Sequence, residues 1–417
     1  MNTNLVARSQ AVPLSNAGAK YSPIDICYYL AFAIYCFFHL MERTNYTSVF
    51  GISFDAIGKI STALMLVFVC ARLLTVRFSL ASLVRSALIL AVSLLVFIVA
   101  RSWICLSLAL FIIAGKEIDI KPMARILLVT TLLVVALTFL GAYTGAIANI
   151  ASRRPGETKV RNALGFNQVN ALGAAAVRIY VSASILSWDK KPTKALLLAA
   201  ALSLFLEWVA NSRTSELFIV VLALVRVFCY RRSKTGKLNC RKANIVCLLL
   251  IWGTVGLSFV FLFFFNSSST VMVEISNLLS NRLYSAWYIC RSYGVHLFGN
   301  GDMELGQTIW AVNSYALLTI DNAWAQWLVM YGSVPTALLL VGISALYIAA
   351  IKNGQSDGKL IILAVLLSFY AFGETTALAI DYNPLLVLLW IPIFGCPDAV
   401  GNAEVSISNS GRANIHV

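Results

Sequence analysis

Residues 231–265 read RRSKTGKLNCRKANIVCLLLIWGTVGLSFVFLFFF, a basic segment followed by an uninterrupted apolar one. The apolar part, residues 243–265, is long enough to cross the hydrocarbon core of a bilayer, which takes about 20 residues. The basic part, residues 231–242, holds six Lys and Arg side chains. Because cytoplasmic loops retain positive charge during membrane insertion, the two segments predict a transmembrane helix that begins on the cytoplasmic side.

The composition of the whole chain agrees with a membrane protein. Of its 417 residues, 59% are apolar and only 12% are charged. The apolar fraction is higher, and the charged fraction lower, than in soluble chains of this length. The apolar runs are continuous rather than alternating, which favours helices over the strands of a membrane barrel. The predicted spans are 24–42, 57–76, 83–100, 102–115, 125–148, 166–187, 194–210, 214–230, 243–265, 323–350, 360–379 and 383–396. The sequence therefore predicts an all-α, polytopic membrane protein of about twelve transmembrane helices.

The spans form one predicted transmembrane domain, residues 23–396, with a large external loop at about 266–321 before the tenth helix. Polar tails, residues 1–22 and 397–417, flank this domain and carry no candidate catalytic residues. Placing the first tail in the cytoplasm puts most of the basic loops on the same side, and the second tail with them. The net charge of +14 then follows mostly from topology, and nucleic acid is excluded as a partner because no basic soluble domain exists.

Motifs that bind nucleotides or metals are missing from the sequence. It contains no Walker loop, HExxH, CxxC or GxGxxG, and only three His residues, so no metal and no cofactor is predicted. The nine Cys residues lie mostly in apolar spans or cytoplasmic flanks, so we expect no structural disulfide. Arg178 and Glu207 are the main charges inside the predicted spans, interpreted as a structural pair or as helix-end groups.

Basic residues on the predicted outer face are exceptions to the positive-inside tendency. They are Arg153, Arg154, Lys159, Arg161, Arg213, Arg282 and Arg291. Arginine grips phosphate with a planar fork, so arginines on one membrane face suit an anionic, phosphate-bearing, lipid-linked substrate. The alternative is that they anchor helix ends at the lipid headgroups, which we favour for Arg153 and Arg154. For Arg282, an amphipathic surface helix with Ile275, Leu279 and Leu283 at helical spacing is an equal alternative.

Carboxylates on the same face are candidates for a general base that acts on a sugar hydroxyl. Asp321 is the best placed and Asp302 the second choice, although Asp321 could instead cap the tenth helix. His296 is the only imidazole of the external loop, and a structural role for it is favoured over a catalytic one. Other carboxylates on or near this face are Glu157, Glu216, Glu274, Glu304, Glu374 and Asp381.

Five segments carry a resemblance to a known family. They are RNALGFNQVNALG (161–173), NSRTSELFIV (211–220), NRLYSAWYIC (281–290), HLFGNG (296–301) and DNAWAQWLVMYGSV (321–334). In this order, and with the large loop before the tenth helix, they resemble the landmarks of the O-antigen ligase and O-antigen polymerase superfamily. The ligase branch usually has a His that opens the last motif, where this chain has Asp321 and Asn322, so the polymerase branch is favoured.

The resemblance implies a metal-independent glycosyltransferase of the bacterial inner membrane, with a fold similar to the GT-C-like integral-membrane enzymes. Its substrate would be a polyprenyl-diphosphate-linked oligosaccharide, and its product a capsule, exopolysaccharide or O-antigen. The residues expected to bind the diphosphate are Arg161, Arg213, Arg282 and Arg291. Asp321 or Asp302 would activate the acceptor, and further candidate contacts are His296, Asn322 and Asn170. Membrane lipid, a chain-length regulator and a flippase are candidate partners. A ligase-type transferase and a lipid-linked oligosaccharide transporter stay open as alternatives.

Overall fold

The computed structural model describes residues 21–49, 52–153, 158–311, 314–354 and 357–395, and most of them are helical. In chain order the helices are α1 (Pro23–Met41), α2 (Phe54–Leu73), α3 (Leu80–Ala100), α4 (Ile104–Ala114), α5 (Ile120–Tyr143), α6 (Val169–Ser187), α7 (Thr193–Val209), α8 (Arg213–Lys234), α9 (Cys240–Phe264), α10 (Thr270–Leu278), α11 (Arg282–Tyr293), α12 (Ala323–Gln326), α13 (Ser333–Asn353), α14 (Gly358–Val365), α15 (Ala371–Gly373) and α16 (Trp390–Phe394). Three short hairpins pair β1 (Ser48–Val49) with β2 (Ile52–Ser53), β3 (Ala151–Ser152) with β4 (Arg161–Asn162), and β5 (Thr308–Ala311) with β6 (Ser314–Leu317).

Seven helices of the described residues are long and apolar enough to cross a membrane. They are α1, α2, α3, α5, α6, α9 and α13. The prediction of a helical membrane protein is confirmed at this level, and the number of twelve spans stays a prediction. Among the seven, α6 is the most enclosed, with 78% of its apolar window buried against 22% for α2 and α3. Its run of small residues, Gly173 to Ala176, lets neighbouring helices pack closely around it.

The predicted tenth span, residues 323–350, is interrupted in the structure. Helix α12 continues as one π-helical turn, Trp327–Tyr331, and ends at Gly332, where φ is +102°. A side chain at Gly332 would overlap the Leu297 carbonyl, and one at Gly299 would overlap the Met330 carbonyl. The two glycines therefore allow the loop before α12 to pack against the helix break, and the long α13 begins only at Ser333.

Two further predicted helices are also divided. The predicted surface helix around residues 275–287 becomes α10 and α11, because Ser280 and Asn281 adopt left-handed conformations between them. The span predicted at 360–379 ends at Gly373, and a single 3₁₀ turn, Thr375–Leu378, follows. Non-helical backbone next to membrane-spanning helices is tolerated where protein buries it, which is the situation of residues 374–383.

Contacts between loops place one set of helix ends together, and we call this side the arginine face (residues 42–47, 158–168, 210–213 and 279–332). The Asn45 backbone N–H donates to the Gly165 carbonyl at 2.8 Å. Arg101 pairs with Asp302 at 3.1 Å, which ties the end of α3 to the loop after α11. The candidate site residues from the sequence therefore share one side of the helix bundle.

The other helix ends form the opposite side, which we call the lysine face (residues 74–79, 115–119 and 188–192). Lys116 donates to the Arg77 carbonyl at 3.1 Å, and Arg72 donates to the Lys116 carbonyl at 3.3 Å. Lys190 and Lys191 lie in the turn between α6 and α7 on this side. The separation of two faces agrees with the grouping of loops that the basic residues predicted.

Candidate functional site

An apolar groove of about 690 Å³ lies between α8, α9, the α14–α15 segment and the start of α11. Its lining is mostly aliphatic and aromatic, with a few hydroxyl and amide side chains, and Arg213 and Arg282 enter it at one end. Among the lining residues are Arg213, Leu217, Val221, Leu250, Leu257 and Arg282. The structure therefore brings two of the four predicted diphosphate-binding arginines to one cavity.

The sequence of α8 explains the shape of the groove. Arg213, Leu217, Val221 and Val225 are spaced by four residues, so they form one stripe along the helix. At 1.5 Å per residue this stripe is roughly 18 Å long, which is more than half of a bilayer's hydrocarbon core. The charge lies at the arginine face, and the aliphatic residues follow the helix away from it.

The groove opens sideways on the outer surface of the bundle. Leu217, Leu250 and Leu257 line it and are also exposed, which is the position of lipid-facing residues in a membrane. The hydroxyls of Thr254 and Ser258 donate to carbonyls one turn earlier in α9, at 2.8 Å each. Because these hydroxyls already have hydrogen-bond partners, the part of the groove away from Arg213 and Arg282 suits a hydrocarbon chain.

Arg282 is held by contacts on all sides of its guanidinium. Its Nε lies 2.9 Å from Asp321 Oδ2, and one Nη lies 3.4 Å from Glu374 Oε1. The other Nη donates to the Gly373 carbonyl and to the Thr214 hydroxyl. The residue begins α11, and these contacts tie that helix to α8, to α15 and to the segment before α12.

Arg282 is shared between two carboxylates when both are ionised. Burial raises the pKa of Glu374 to about 7, although the Arg282 charge acts to lower it. Glu374 lies just past the end of α15, so it is outside the apolar helices. Near neutral pH, Glu374 therefore exchanges between a neutral and an ionised form. Arg282 has one ionised partner, Asp321, when Glu374 is neutral, and two when Glu374 is ionised.

Arg161 does not line the groove but supports the turn that carries Arg213. Its Nε donates to the Ala210 carbonyl at 2.9 Å, and its Nη2 donates to Asn170 Oδ1 at 3.1 Å. Ala210 ends α7, three residues before Arg213 begins α8. The predicted contact residues Arg161 and Asn170 are thus bonded to each other and positioned next to the arginine end of the groove.

Asn322, and not Asp321, caps α12. The Asn322 side chain accepts from the Ala325 N–H at 2.9 Å and donates to Ser258 at 2.8 Å. The alternative of a capping role for Asp321 was therefore wrong, and Asp321 is instead the ion-pair partner of Arg282. Asn322 also lines the groove, where its amide links α12 to α9.

Besides Arg161, Asn170 and Asp321, three further predicted site residues lie outside the groove lining. Asp302 is an exposed residue paired with the equally exposed Arg101. Arg291 is exposed and lies 5.6 Å from the ring centre of Trp287. His296 is exposed, and its Nε2 bonds to the Tyr293 carbonyl at 3.0 Å. Arg153 and Lys159 are described but also lie outside the lining, while Arg154 and Glu157 lie outside the described residues.

A second charged cluster lies deeper in the bundle, and the sequence analysis missed it. Arg178 of α6 lies 3.5 Å from Asp381 Oδ2, and His39 of α1 places Nδ1 at 2.7 Å from the same oxygen. Arg178 and Asp381 are fully buried. Glu207 instead pairs with Lys159 at 2.6 Å, so the proposed pairing of Arg178 with Glu207 is wrong.

No protein-family model, curated protein or solved structure matches this chain. Within the described residues, no three His, Cys, Asp or Glu side chains are grouped so that they could hold a metal ion. The resemblance to the O-antigen ligase and polymerase superfamily therefore stays a prediction. The groove and the two charged clusters are the features from which a function can be inferred.

Proposed function

We propose that this protein joins polyprenyl-diphosphate-linked oligosaccharide units at the outer face of the bacterial cytoplasmic membrane, as a metal-independent polymerase. The observation that carries the proposal is an apolar groove that opens toward lipid and ends at Arg213 and Arg282. A polyprenyl diphosphate has the matching chemistry, since a long hydrocarbon chain is joined directly to a dianionic or trianionic head.

The tail of such a lipid would lie along Leu217, Val221 and Val225. Each methylene group that leaves a polar environment contributes about 0.8 kcal/mol, so a chain along this stripe gains several kcal/mol in total. In a bilayer the gain is smaller, because the surrounding lipid is also apolar, and the groove then acts mainly to orient the lipid. The diphosphate comes to rest at the arginine end.

The arginines serve the chemical step of this proposal. Charge develops on the diphosphate as its bond to the anomeric carbon breaks, and fixed guanidinium donors in a dry site stabilise that charge. Arg282 can accept the diphosphate in exchange for one of its carboxylates, most readily when Glu374 is neutral. Arg161 holds the turn that presents Arg213, so it takes part by positioning.

The orientation of the chain belongs to the same proposal. Loops of the lysine face, together with residues 231–242, carry the basic charge that membrane insertion keeps inside. The arginine face is then outside, both termini are cytoplasmic, and the twelve predicted spans connect the two. A cysteine introduced at Ser268 should react with a reagent that cannot cross the membrane.

The test starts with a deletion of the gene in a strain that makes the polysaccharide. The proposal expects single lipid-linked repeat units to accumulate and long polymer to disappear. Units extracted from those cells should become polymer when purified protein in lipid nanodiscs is added, without any metal or nucleotide. Failure of the purified protein to extend the units would contradict the proposal.

The same cells separate the alternatives. Units that accumulate only in the cytoplasmic leaflet would indicate a transporter. Polymer that forms normally on the lipid carrier but is never transferred to a final acceptor would indicate a ligase-type transferase. The polymerase proposal expects single units that are accessible from the outer side.

A further inference from the structure

The deep cluster of Arg178, His39 and Asp381 has the composition of an acid–base site. His39 lies near the end of α1 and is partly exposed, whereas Asp381 behind it is completely buried. The ring of Tyr35, one turn earlier in α1, stacks on the imidazole with ring centres 5.4 Å apart. Within the described residues, the His39 imidazole bonds to Asp381 through Nδ1. The other ring nitrogen, Nε2, is therefore the one that can react.

The carboxylate fixes which nitrogen carries the proton. An ionised Asp381 accepts a hydrogen bond from Nδ1–H, and the neutral imidazole then has its lone pair on Nε2. Arg178 compensates the charge of Asp381, since its guanidinium is 3.5 Å from the same oxygen and is buried as well. The buried carboxylate of Asp381 therefore has a charged partner in Arg178 besides its hydrogen bond to His39.

Two further observations point to a polar ligand at this cluster. Asp381 Oδ1 and Asn383 Oδ1 are buried and have no hydrogen-bond partner among the described residues. Buried polar atoms are costly to leave unpaired, so such a cluster is suited to hydroxyl groups or water. A sugar presents several hydroxyls that could bond here.

The cluster is connected electrostatically to the arginine end of the groove. Arg43, half-buried just after α1, lies close enough to interact with both Asp381 and Glu374. Glu374 in turn contacts Arg282. Asp381 and Glu374 also belong to one non-helical segment, residues 374–383, which runs from the groove to the deep cluster.

The two carboxylates that the sequence favoured as general base are poorly placed for that role. Asp321 is 2.9 Å from the Arg282 guanidinium, and a strong ion pair makes a carboxylate a weaker base. Asp302 is exposed on the surface, where it pairs with Arg101. The proton of the acceptor hydroxyl therefore needs another destination.

We propose that His39 is the general base that activates the acceptor hydroxyl, with Asp381 as the residue that positions it. The inference rests on the proposed polymerase function. His39 Nε2 takes the hydroxyl proton as the acceptor oxygen bonds to the anomeric carbon of the donor. The bond from that carbon to the diphosphate oxygen breaks, its electron pair stays on the lipid diphosphate, and the imidazolium later returns its proton to solvent.

The test compares His39→Asn with the unchanged protein in nanodiscs, using repeat units extracted from the deletion strain. The amide nitrogen of Asn can take the place of Nδ1 and donate to Asp381, but Asn has no counterpart of Nε2. A general base contributes roughly 10²- to 10⁴-fold, so we expect kcat to fall by that factor while binding of polyprenyl diphosphate alone changes less than about twofold. His416→Asn, a substitution of the same kind in the C-terminal tail, serves as the control.

The pH dependence of kcat separates the chemical role from a structural one. Because a general base acts only in its unprotonated form, kcat of the unchanged protein should have an acidic limb that is missing in His39→Asn. Asp381→Glu keeps the charge beside Arg178 and Arg43 but moves the carboxylate, so it should shift the limb and lower kcat with unchanged lipid binding. Tyr35, Cys36, Glu42 and Tyr382 are other titratable groups close to this cluster, and all four are unchanged in these variants.

The outcomes distinguish this inference from the function on which it rests. Polymer from the unchanged protein and equal kcat from His39→Asn would overturn the base assignment and leave the polymerase proposal intact. An unchanged protein that makes no polymer at all would overturn the polymerase proposal itself. Loss of lipid binding along with kcat in His39→Asn would show a structural role and likewise overturn the base assignment.

Discussion

The two guanidinium–carboxylate clusters differ in charge balance and in access. Arg282 pairs with two carboxylates, retains 19% exposure of its side chain and lines a groove. Arg178 pairs with one carboxylate that it shares with His39, and both charged partners have no exposed surface. Arg282 can exchange one of its carboxylate partners for an anionic ligand. Arg178 can do so only if Asp381 is left buried without a charged partner of its own.

This contrast suggests a division of roles between the two regions. A residue at the groove should affect ligand binding with little effect on folding, because solvent or lipid headgroups can replace its partners. Removal of Arg178 or Asp381 should affect folding first, because it leaves the other charge of the buried pair uncompensated. The substitutions below test this division.

The largest expected effect is on stability, from Arg178→Met. The substitution removes the buried guanidinium next to Asp381 and leaves only the partly exposed His39 and Arg43 near it, so we expect a loss of about 3–5 kcal/mol in the free energy of unfolding. The measurement is the unfolding midpoint of purified protein in detergent. The double variant Arg178→Met/Asp381→Leu removes both charges and should recover most of the loss, whereas a single-variant loss below about 1 kcal/mol would contradict a tightly coupled pair.

The next effect is on lipid binding, from Arg282→Lys and Arg213→Lys. An ammonium keeps the charge but lacks the planar fork, and each charge-assisted hydrogen bond lost costs about 1.5–3 kcal/mol. We expect the affinity for polyprenyl diphosphate to fall about 10- to 100-fold, with an unchanged unfolding midpoint.

Arg85→Lys is the matched control for these two variants. Arg85 donates to the carbonyls of Pro392 and Ile393 at 2.9 Å each, far from the groove lining. Its substitution should leave lipid affinity unchanged. Equal affinity in all three variants would return Arg213 and Arg282 to the role of headgroup anchors.

The smallest effect is a pH dependence that comes from Glu374. Below about pH 7 this carboxyl is neutral and does not compete for Arg282, whereas above that pH it is ionised and does. Affinity for polyprenyl diphosphate should therefore decline as the pH rises through about 7, by up to about tenfold. In Glu374→Gln the side chain stays neutral, so this decline should be missing, and a decline of the same size in both proteins would rule out Glu374 as its source.

The sequence singled out Arg282 and its neighbour Arg213 as site residues but gave no sign of the pair formed by His39 and Asp381, for physical reasons. Arg213 and Arg282 were found because positive charge on the predicted outer face conflicts with the usual distribution. His39 and Asp381 are 342 positions apart, and each looks like an isolated polar residue at the end of an apolar run. Only the packing of α1 against residues 374–383 brings them together.

Helix breaks were predicted less well than helices. Long apolar runs identified α1, α2, α3, α6 and α9 to within three residues at each end, because hydropathy depends on composition alone. The interruption at Gly332 depends on the close approach of Gly299 and Leu297, which no local pattern shows. The same holds for Asn322, which caps α12 in place of its neighbour Asp321.

The most direct test of the groove is to identify the lipid that occupies it in native membranes. A photo-reactive amino acid at Val221 lies in the groove, while the same amino acid at Leu224 lies on the exposed outer side of α8. After illumination of intact cells, mass spectrometry of the purified protein should find polyprenyl diphosphate or its glycosylated form attached at position 221, and ordinary phospholipid at position 224. Phospholipid alone at both positions would contradict a polyprenyl diphosphate site in this groove.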